Sequence, residues 1–210
     1  SIYVRWLREQ GINKEILQYP EDVDRVPEKS RLKDVCHWGV YPLPEEQHFS
    51  TFLSNYAGRY IDNYDRDQPL FLYLSFVAPH SPYQPPAPYD RMFDPAEMPL
   101  PPVEDEGQYR KKHRIVQGAR AKYGRNGGNL PAETVAQVRA HYCGLLRHLD
   151  RTIGESGEAL RKRFGEDSLV ILTSDHGDFL GEHNACEKGL HYDTATRVPY
   201  IVTWPGRVRP

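Results

Sequence analysis

Three short apolar runs separated by long connections predict an α/β fold with a mostly parallel sheet flanked by helices. Leu70-Phe71-Leu72-Tyr73-Leu74-Ser75-Phe76-Val77 is nearly continuous in apolar side chains. It is too short for most buried helices and reads as a strand covered on both faces. Leu169 to Thr173 reads the same way, and Val198 to Trp204 supplies a third strand. Between the first two, Val135, Val138, Tyr142, Leu145, Leu146, Leu149 and Ile153 recur at spacings of three and four, which makes one apolar helix face. No internal repeat is present.

The elements follow in order. Residues 1–45 are poorly periodic. Leu43-Pro44-Glu45-Glu46 is a helix start, with proline near the first turn and acids favouring the N-terminal dipole. Phe49, Phe52, Leu53, Tyr56, Tyr60 and Ile61 then predict an amphipathic helix over 45–64. Asp65 to Pro69 is a turn, and Ala78-Pro79-His80 ends the first strand. Ser81 to Pro88 and Met98 to Pro102 are proline-rich and predict an irregular loop wrapped on its own domain, the alternative being a ligand for a proline-reading module. Tyr109 to Asn129 is basic and glycine-containing. A solvated loop or helix end fits it better than a nuclear signal or phosphate patch. Pro131 opens the long helix, Gly154 and Gly157 predict a bend or break, and Gly165 ends it.

Composition narrows the function. Lys and Arg number 27 against 29 Asp and Glu, a net charge of −2, so no basic excess exists to hold a nucleic acid. Mean hydropathy is −0.71, and no apolar run approaches the roughly 20 residues that span a bilayer. Eighteen prolines predict long ordered loops rather than disorder, because 14 Tyr, 7 Phe and 3 Trp provide aromatic mass for a core. Cys36, Cys143 and Cys186 are too few and too odd for a disulfide framework. They fit a reducing compartment, with one pair plus one free thiol as the alternative. The chain begins Ser1-Ile2-Tyr3-Val4 and ends just after an apparent strand, so both ends read as cut from something longer.

The chemistry gathers at strand ends. The first strand delivers His80, and the second delivers Ser174-Asp175-His176-Gly177-Asp178. In open α/β sheets ligands sit outside the carboxyl ends of strands, so His80, Asp175 and His176 are expected on one rim. Asp175 and His176 are competent metal donors, a carboxylate oxygen and an imidazole nitrogen. Neighbours in sequence reach one metal only from a turn, which Gly177 permits. The alternative reading has Asp175 capping the turn and His176 at the surface.

The wider pattern decides between these. T-S-D-H-G-D-F-L-G-E-H at 173–183, Lys188, and Y-D-T-A-T-R-V-P at 192–199 resemble the C-terminal signature of the sulfatase family, within the alkaline phosphatase superfamily. F-L-Y-L-S-F-V-A-P-H-S-P-Y at 71–83, with P-P-A-P-Y at 85–89, resembles the same family's central block, and Leu149-Asp150 with Ile153-Gly154 match the helix between. The resemblance runs from about residue 40 to 206, in order and at the right spacing. It implies an alkaline-phosphatase-like α/β fold, with residues 1–210 forming a partial catalytic domain.

The resemblance also implies roles. Asp175 and His176 are expected to ligate a divalent cation, calcium first, with manganese or zinc as alternatives given His176; some sulfatases carry Asn there, and His is found both in sulfatases and in the related phosphonate monoester hydrolases. Lys188 is expected to contact the sulfate oxygens and the ester oxygen, and His80 to face the leaving-group oxygen. A transferring sulfuryl group spreads negative charge, which a cation, a Lys and a His stabilise, and His80 can protonate the departing alkoxide. His183 and His191 are read as lying behind the site or at the surface, Arg197 as pairing locally with Asp193, and Cys186 and Glu187 receive no role.

The family nucleophile is a Cys or Ser in C/S-x-P-x-R, converted to formylglycine, and further acidic metal ligands accompany it. Both are expected upstream of this chain. Cys143 to Arg147 has the spacing but places Leu145 where the motif needs proline, so Cys143 is read as a small core residue, and His141 and His148 as packed or surface residues. The function implied is hydrolysis of small-molecule or carbohydrate sulfate esters by the full-length protein, this stretch alone being inactive. The alternatives are a phosphonate or phosphate ester hydrolase of the same superfamily and a non-catalytic sulfatase-like binding module.

Overall fold

A computed structural model describes residues 1–12, 36–103, 105–123 and 130–209. The parts of the irregular N-terminal region and of the basic stretch at 13–35 and 124–129 lie outside the described residues. Among the described residues six α-helices and two strands are formed: α1 (Ile2–Glu9), α2 (Phe49–Asp62), α3 (Glu106–Arg110), α4 (Arg114–Tyr123), α5 (Ala132–Phe164), β1 (Val170–Thr173), α6 (Asp193–Thr196) and β2 (Tyr200–Thr203).

The long helix is the backbone of the fold. Its 33 residues begin after Pro131 and stop at Gly165, whose φ of 67° takes the left-handed conformation that a side chain resists. The bend expected at Gly154 and Gly157 does not occur; α5 is one helix. An interior glycine costs a helix only about 1 kcal/mol, and contacts on both sides of Gly154 hold α5 to α2. Ser54 Oγ donates to Thr152 O at 2.8 Å and lies 2.9 Å from Ser156 Oγ, while Thr51 Oγ1 lies 3.0 Å from His148 Nε2. This seam is polar, and these groups pair across the interface as buried polar groups must, while the buried His148 Nδ1 and Ser50 Oγ find no hydrogen-bond partner among the described residues.

The N-terminal end carries a helix that the sequence pattern did not reveal. Ser1 caps α1, its Oγ accepting from Val4 N at 3.3 Å. Tyr3 and Trp6 then pack on Phe49 and Phe52 of α2 with ring centroids 5.0–5.2 Å apart.

The proline-rich segment packs on its own domain. Tyr83, Pro85 and Pro86 are fully buried. The loop pairs with the 36–41 stretch through Tyr83 N to His37 O (2.7 Å), Gly39 N to Tyr83 O (3.1 Å) and Tyr41 N to Pro85 O (3.1 Å). Gly144 of α5 admits the loop, since a Cβ there would run into the Tyr89 carbonyl. Cys36 and Cys186 form a disulfide, with Cα atoms 5.9 Å apart, beside Tyr83, Val138 and Leu145; Cys143 is free and half-buried. One pair and one free thiol is therefore the arrangement present.

The sheet departs from expectation. Among the described residues it is a two-stranded antiparallel pair, β1 with β2, in the register Val170↔Thr203 to Thr173↔Tyr200. The connection from Thr173 to Tyr200 holds a single 3-10 turn, Glu182–Asn184, and the four-residue α6, too little helix for the helical crossover usual in a parallel pair, and the chain doubles back. Leu70 to Val77 makes no ladder among the described residues. Its side chains alternate in burial, and Phe71 and Tyr73 are 91% and 81% exposed, so it is not covered on both faces here.

Candidate active site

Two loops that follow the apolar runs meet. His80 sits half-buried directly after Leu70–Val77, and Ser174 to Asp178 leave β1. Gly177 is what lets the second loop turn: its N–H donates to Ala195 O at 2.8 Å, and a Cβ at this position would press into the Thr194 carbonyl, 3.1 Å from its carbon. The rim is thus locked against α6 by backbone contact.

The expected residues come together. Lys188 Nζ lies 2.6 Å from His80 Nε2. His80 Nδ1 faces the Ser81 carbonyl at 2.8 Å and so carries the hydrogen that it donates there. That leaves Nε2 with a lone pair, and the Lys188 ammonium donates to it. The His80 and His176 rings meet edge to face, 5.8 Å between centroids. His176 Nδ1 donates in turn to Gly177 O at 2.7 Å, and its Nε2 lies 3.6 Å from Asp175 Oδ2. Asp175 itself is exposed, its side chain 87% accessible, and its Oδ1 accepts from His176 N at 3.1 Å.

The donor set fits a divalent cation. An imidazole whose Nδ1–H is fixed on a carbonyl presents the Nε2 lone pair, the usual disposition of a metal-binding histidine, and an exposed carboxylate oxygen stands beside it. Two donors do not complete a shell, and among the described residues no group of three or more His, Cys, Asp or Glu is placed to hold a metal ion.

A second set of contacts lies just behind, and neither motif nor spacing announced it. Ser81 Oγ donates to Glu187 Oε1. Tyr83 OH donates to the Asp178 carboxylate, 2.8 Å from Oδ2, while Asp178 Oδ1 accepts from Leu180 N at 3.0 Å and Glu187 N at 2.9 Å. Burial pushes the Asp178 carboxyl up from its ordinary value, opposed by these hydrogen bonds, and burial next to Asp178 holds the Tyr83 phenol well above its own. The remaining polar candidates lie elsewhere. His183 stacks on Tyr192 at 3.7 Å, His191 is exposed, and Arg197 pairs with Asp193 at 3.8 Å. His141 and His148 are buried against the rest of the fold.

The chain matches the family model described as Sulfatase over residues 4–210. An arylsulfatase of Clostridium perfringens is 29% identical over 215 residues, covering 98% of this chain and 40% of the relative. The multifunctional alkaline phosphatase superfamily protein PehA of Trinickia caryophylli is also 29% identical, covering 99% of this chain and 42% of its own length. The chain therefore spans about two-fifths of these relatives. Among solved structures, the phosphonate monoester hydrolase of Agrobacterium radiobacter superposes with a TM-score of 0.78 at 24% identity, over 98% of this chain and 42% of that one. The phosphonate monoester hydrolase SpPMH of Silicibacter pomeroyi gives 0.75 at 26% identity, over 98% and 41%. These likenesses make the architecture part of an alkaline-phosphatase-like hydrolase fold. With the family match running over nearly its whole length, the chain belongs to the sulfatase family.

Proposed function

We propose that the full-length protein is a metal-dependent sulfuric ester hydrolase, and that this chain supplies its leaving-group side. The observation that carries the reading is the 2.6 Å contact of Lys188 Nζ with His80 Nε2, one ring away from the Asp175–His176 donor pair. Asp175 and His176 are the residues here that would hold the cation, calcium first, with manganese or zinc accepting the same donors. A bound cation would draw charge off the sulfuryl oxygens, and a formylglycine hydrate in the rest of the protein would provide the attacking oxygen.

The chain's own groups do the rest. Lys188 offers an ammonium to oxygens that gain negative charge as the ester bond breaks, worth about 10²–10³ in rate for a donor of this kind. In its imidazolium form, with Nδ1–H held on Ser81 O and Nε2–H directed outward, His80 serves as the acid for the departing oxygen. Substrates are small-molecule or carbohydrate sulfate esters. No helix among the described residues is long and apolar enough to cross a membrane.

A second reading has support of its own. The likeness to the 26% identical phosphonate monoester hydrolase of Silicibacter pomeroyi fits a phosphonate ester as substrate. Side-by-side kcat/KM on an aryl sulfate and an aryl phosphonate monoester decides between them, and sulfate preference supports the main reading. The acid role is tested by kcat of His80→Ala against leaving-group pKa. The loss is expected to grow as the leaving group becomes more basic, and a flat dependence removes His80 as the acid.

A further inference from the structure

We infer that Ser81 and Glu187 are a positioning pair that sets the spacing between His80 and Lys188. The inference rests on reading those two residues as the groups that act on the ester. The geometry is a double cross-link between two dipeptides 106 residues apart in sequence. His80-Ser81 faces Glu187-Lys188, with His80 against Lys188 and Ser81 Oγ donating to Glu187 Oε1. The first contact is between the functional groups themselves and is the one that an entering ester would break, since both groups must turn to its oxygens. The second contact can persist through that exchange, so the two loops stay in register while the first is lost.

The surroundings show Glu187 held from every side. Its N–H donates to Asp178 Oδ1 at 2.9 Å, and its carbonyl accepts from Phe179 N at 2.9 Å. Cys186, immediately before it, is fully buried and disulfide-bonded to Cys36. Glu187 has φ +62°, a left-handed conformation uncommon for a residue with a side chain. That conformation and its fixed backbone send the side chain to Ser81 and the next one to His80. Ser81 is equally constrained, 7% exposed, two residues from Tyr83, whose hydroxyl ends on the same Asp178. A hydroxyl–carboxylate contact of this kind is charge-assisted and short, so it holds a distance better than a long flexible lysine can alone.

The test uses the full-length enzyme and 4-nitrophenyl sulfate. Ser81→Ala and Glu187→Ala are each expected to lower kcat about 10-fold, a loosening short of the 1 Å misplacement that can cost about 10². The double variant is expected to fall no further than the worse single one, because both remove the same contact. Glu187→Gln is expected to stay within about 2-fold of native, its amide oxygen still accepting from Ser81 Oγ. Metal content is expected to be unchanged in all four. Should Glu187→Ala fail to fold, Ser81→Ala and Glu187→Gln carry the comparison. Native kcat in Ser81→Ala, additive losses in the double variant, or Glu187→Gln as impaired as Glu187→Ala overturns the inference. If Lys188→Ala meanwhile loses about 10²–10³ in kcat, the roles of Lys188 and His80 stand without it; if Lys188→Ala and His80→Ala both turn over at the native rate, those roles fall and the pair falls with them.

Discussion

Replacing Gly177 by alanine tests how tightly the rim is fixed. Gly177 lies between His176 and Asp178, and its amide is bound to Ala195 O at 2.8 Å. An alanine Cβ there would penetrate the Thr194 carbonyl oxygen and stand 3.1 Å from its carbon and 3.4 Å from Ala195 Cα. The obstruction is backbone, so no side-chain rotamer relieves it. The 174–178 turn or α6 must yield by on the order of 1 Å, a displacement that can cost about 10² in rate. The expected outcome in the full-length enzyme is a kcat lowered about 100-fold, metal affinity weakened about 10–100-fold, and stability reduced by about 1–3 kcal/mol from overpacking. Steady-state kinetics, metal titration and thermal melting read the three. Gly154→Ala is the control: it sits inside α5 with nothing within 4 Å of the added carbon. It should stabilise by up to about 1 kcal/mol and leave kcat alone. Native kcat and metal affinity in Gly177→Ala would refute the claim that backbone contact with α6 positions His176.

Two further outcomes follow from the buried histidines and the disulfide. Burial lowers His48 to about 3 and His148 to about 4, below the ordinary 6.5, and His48 Nδ1 must stay unprotonated to accept from Ser50 N at the start of α2. Above about pH 6.5 folded and unfolded states are both neutral, so nothing is lost; as pH falls from there toward 4 and 3, the unfolded chain takes up protons the folded one refuses. Stability should drop by up to roughly 1.4 kcal/mol per pH unit for each proton, and His148→Gln should flatten the slope of denaturation midpoints between pH 6.5 and 4. The Cys36–Cys186 bond closes a span of 150 residues, for which chain entropy gives at most about 5 kcal/mol; reduction or Cys36→Ser should lower Tm, and an unchanged Tm would show the thiols unpaired.

What the sequence revealed follows from how local each signal is. The long helix was legible because Val138, Leu145 and Leu149 repeat with the helical period and Gly165 supplies the left-handed stop. Its continuity through Gly154 and Gly157 was not, since Ser54, Thr152 and Ser156 stabilise it from another helix. The strands at Leu169 and Val198 were legible as strands, but an apolar run does not say which neighbour it pairs with or in which direction, and β1 and β2 proved antiparallel. The short α1 stayed hidden because eight residues give too few periods to recognise. Asp175, His176, His80 and Lys188 stood out through a spaced motif, and the structure brings His80, His176 and Lys188 into one cluster with Asp175 beside it. Ser81, Glu187 and the Cys36–Cys186 pair left no such trace, because each is a tertiary contact more than 100 residues long with no pattern on either side.

The central claim is that the Asp175–His176 turn is half of a cation site serving ester hydrolysis. The measurement that tests it most directly is metal stoichiometry by mass spectrometry together with aryl sulfate turnover in the full-length Asp175→Ala enzyme. Losing an anionic donor leaves the cation's charge uncompensated, so the account predicts a large fall in bound metal and loss of turnover, with the Tm of the metal-stripped protein close to that of the stripped native enzyme because the Asp175 side chain is 87% exposed. Full metal occupancy with native turnover would contradict it.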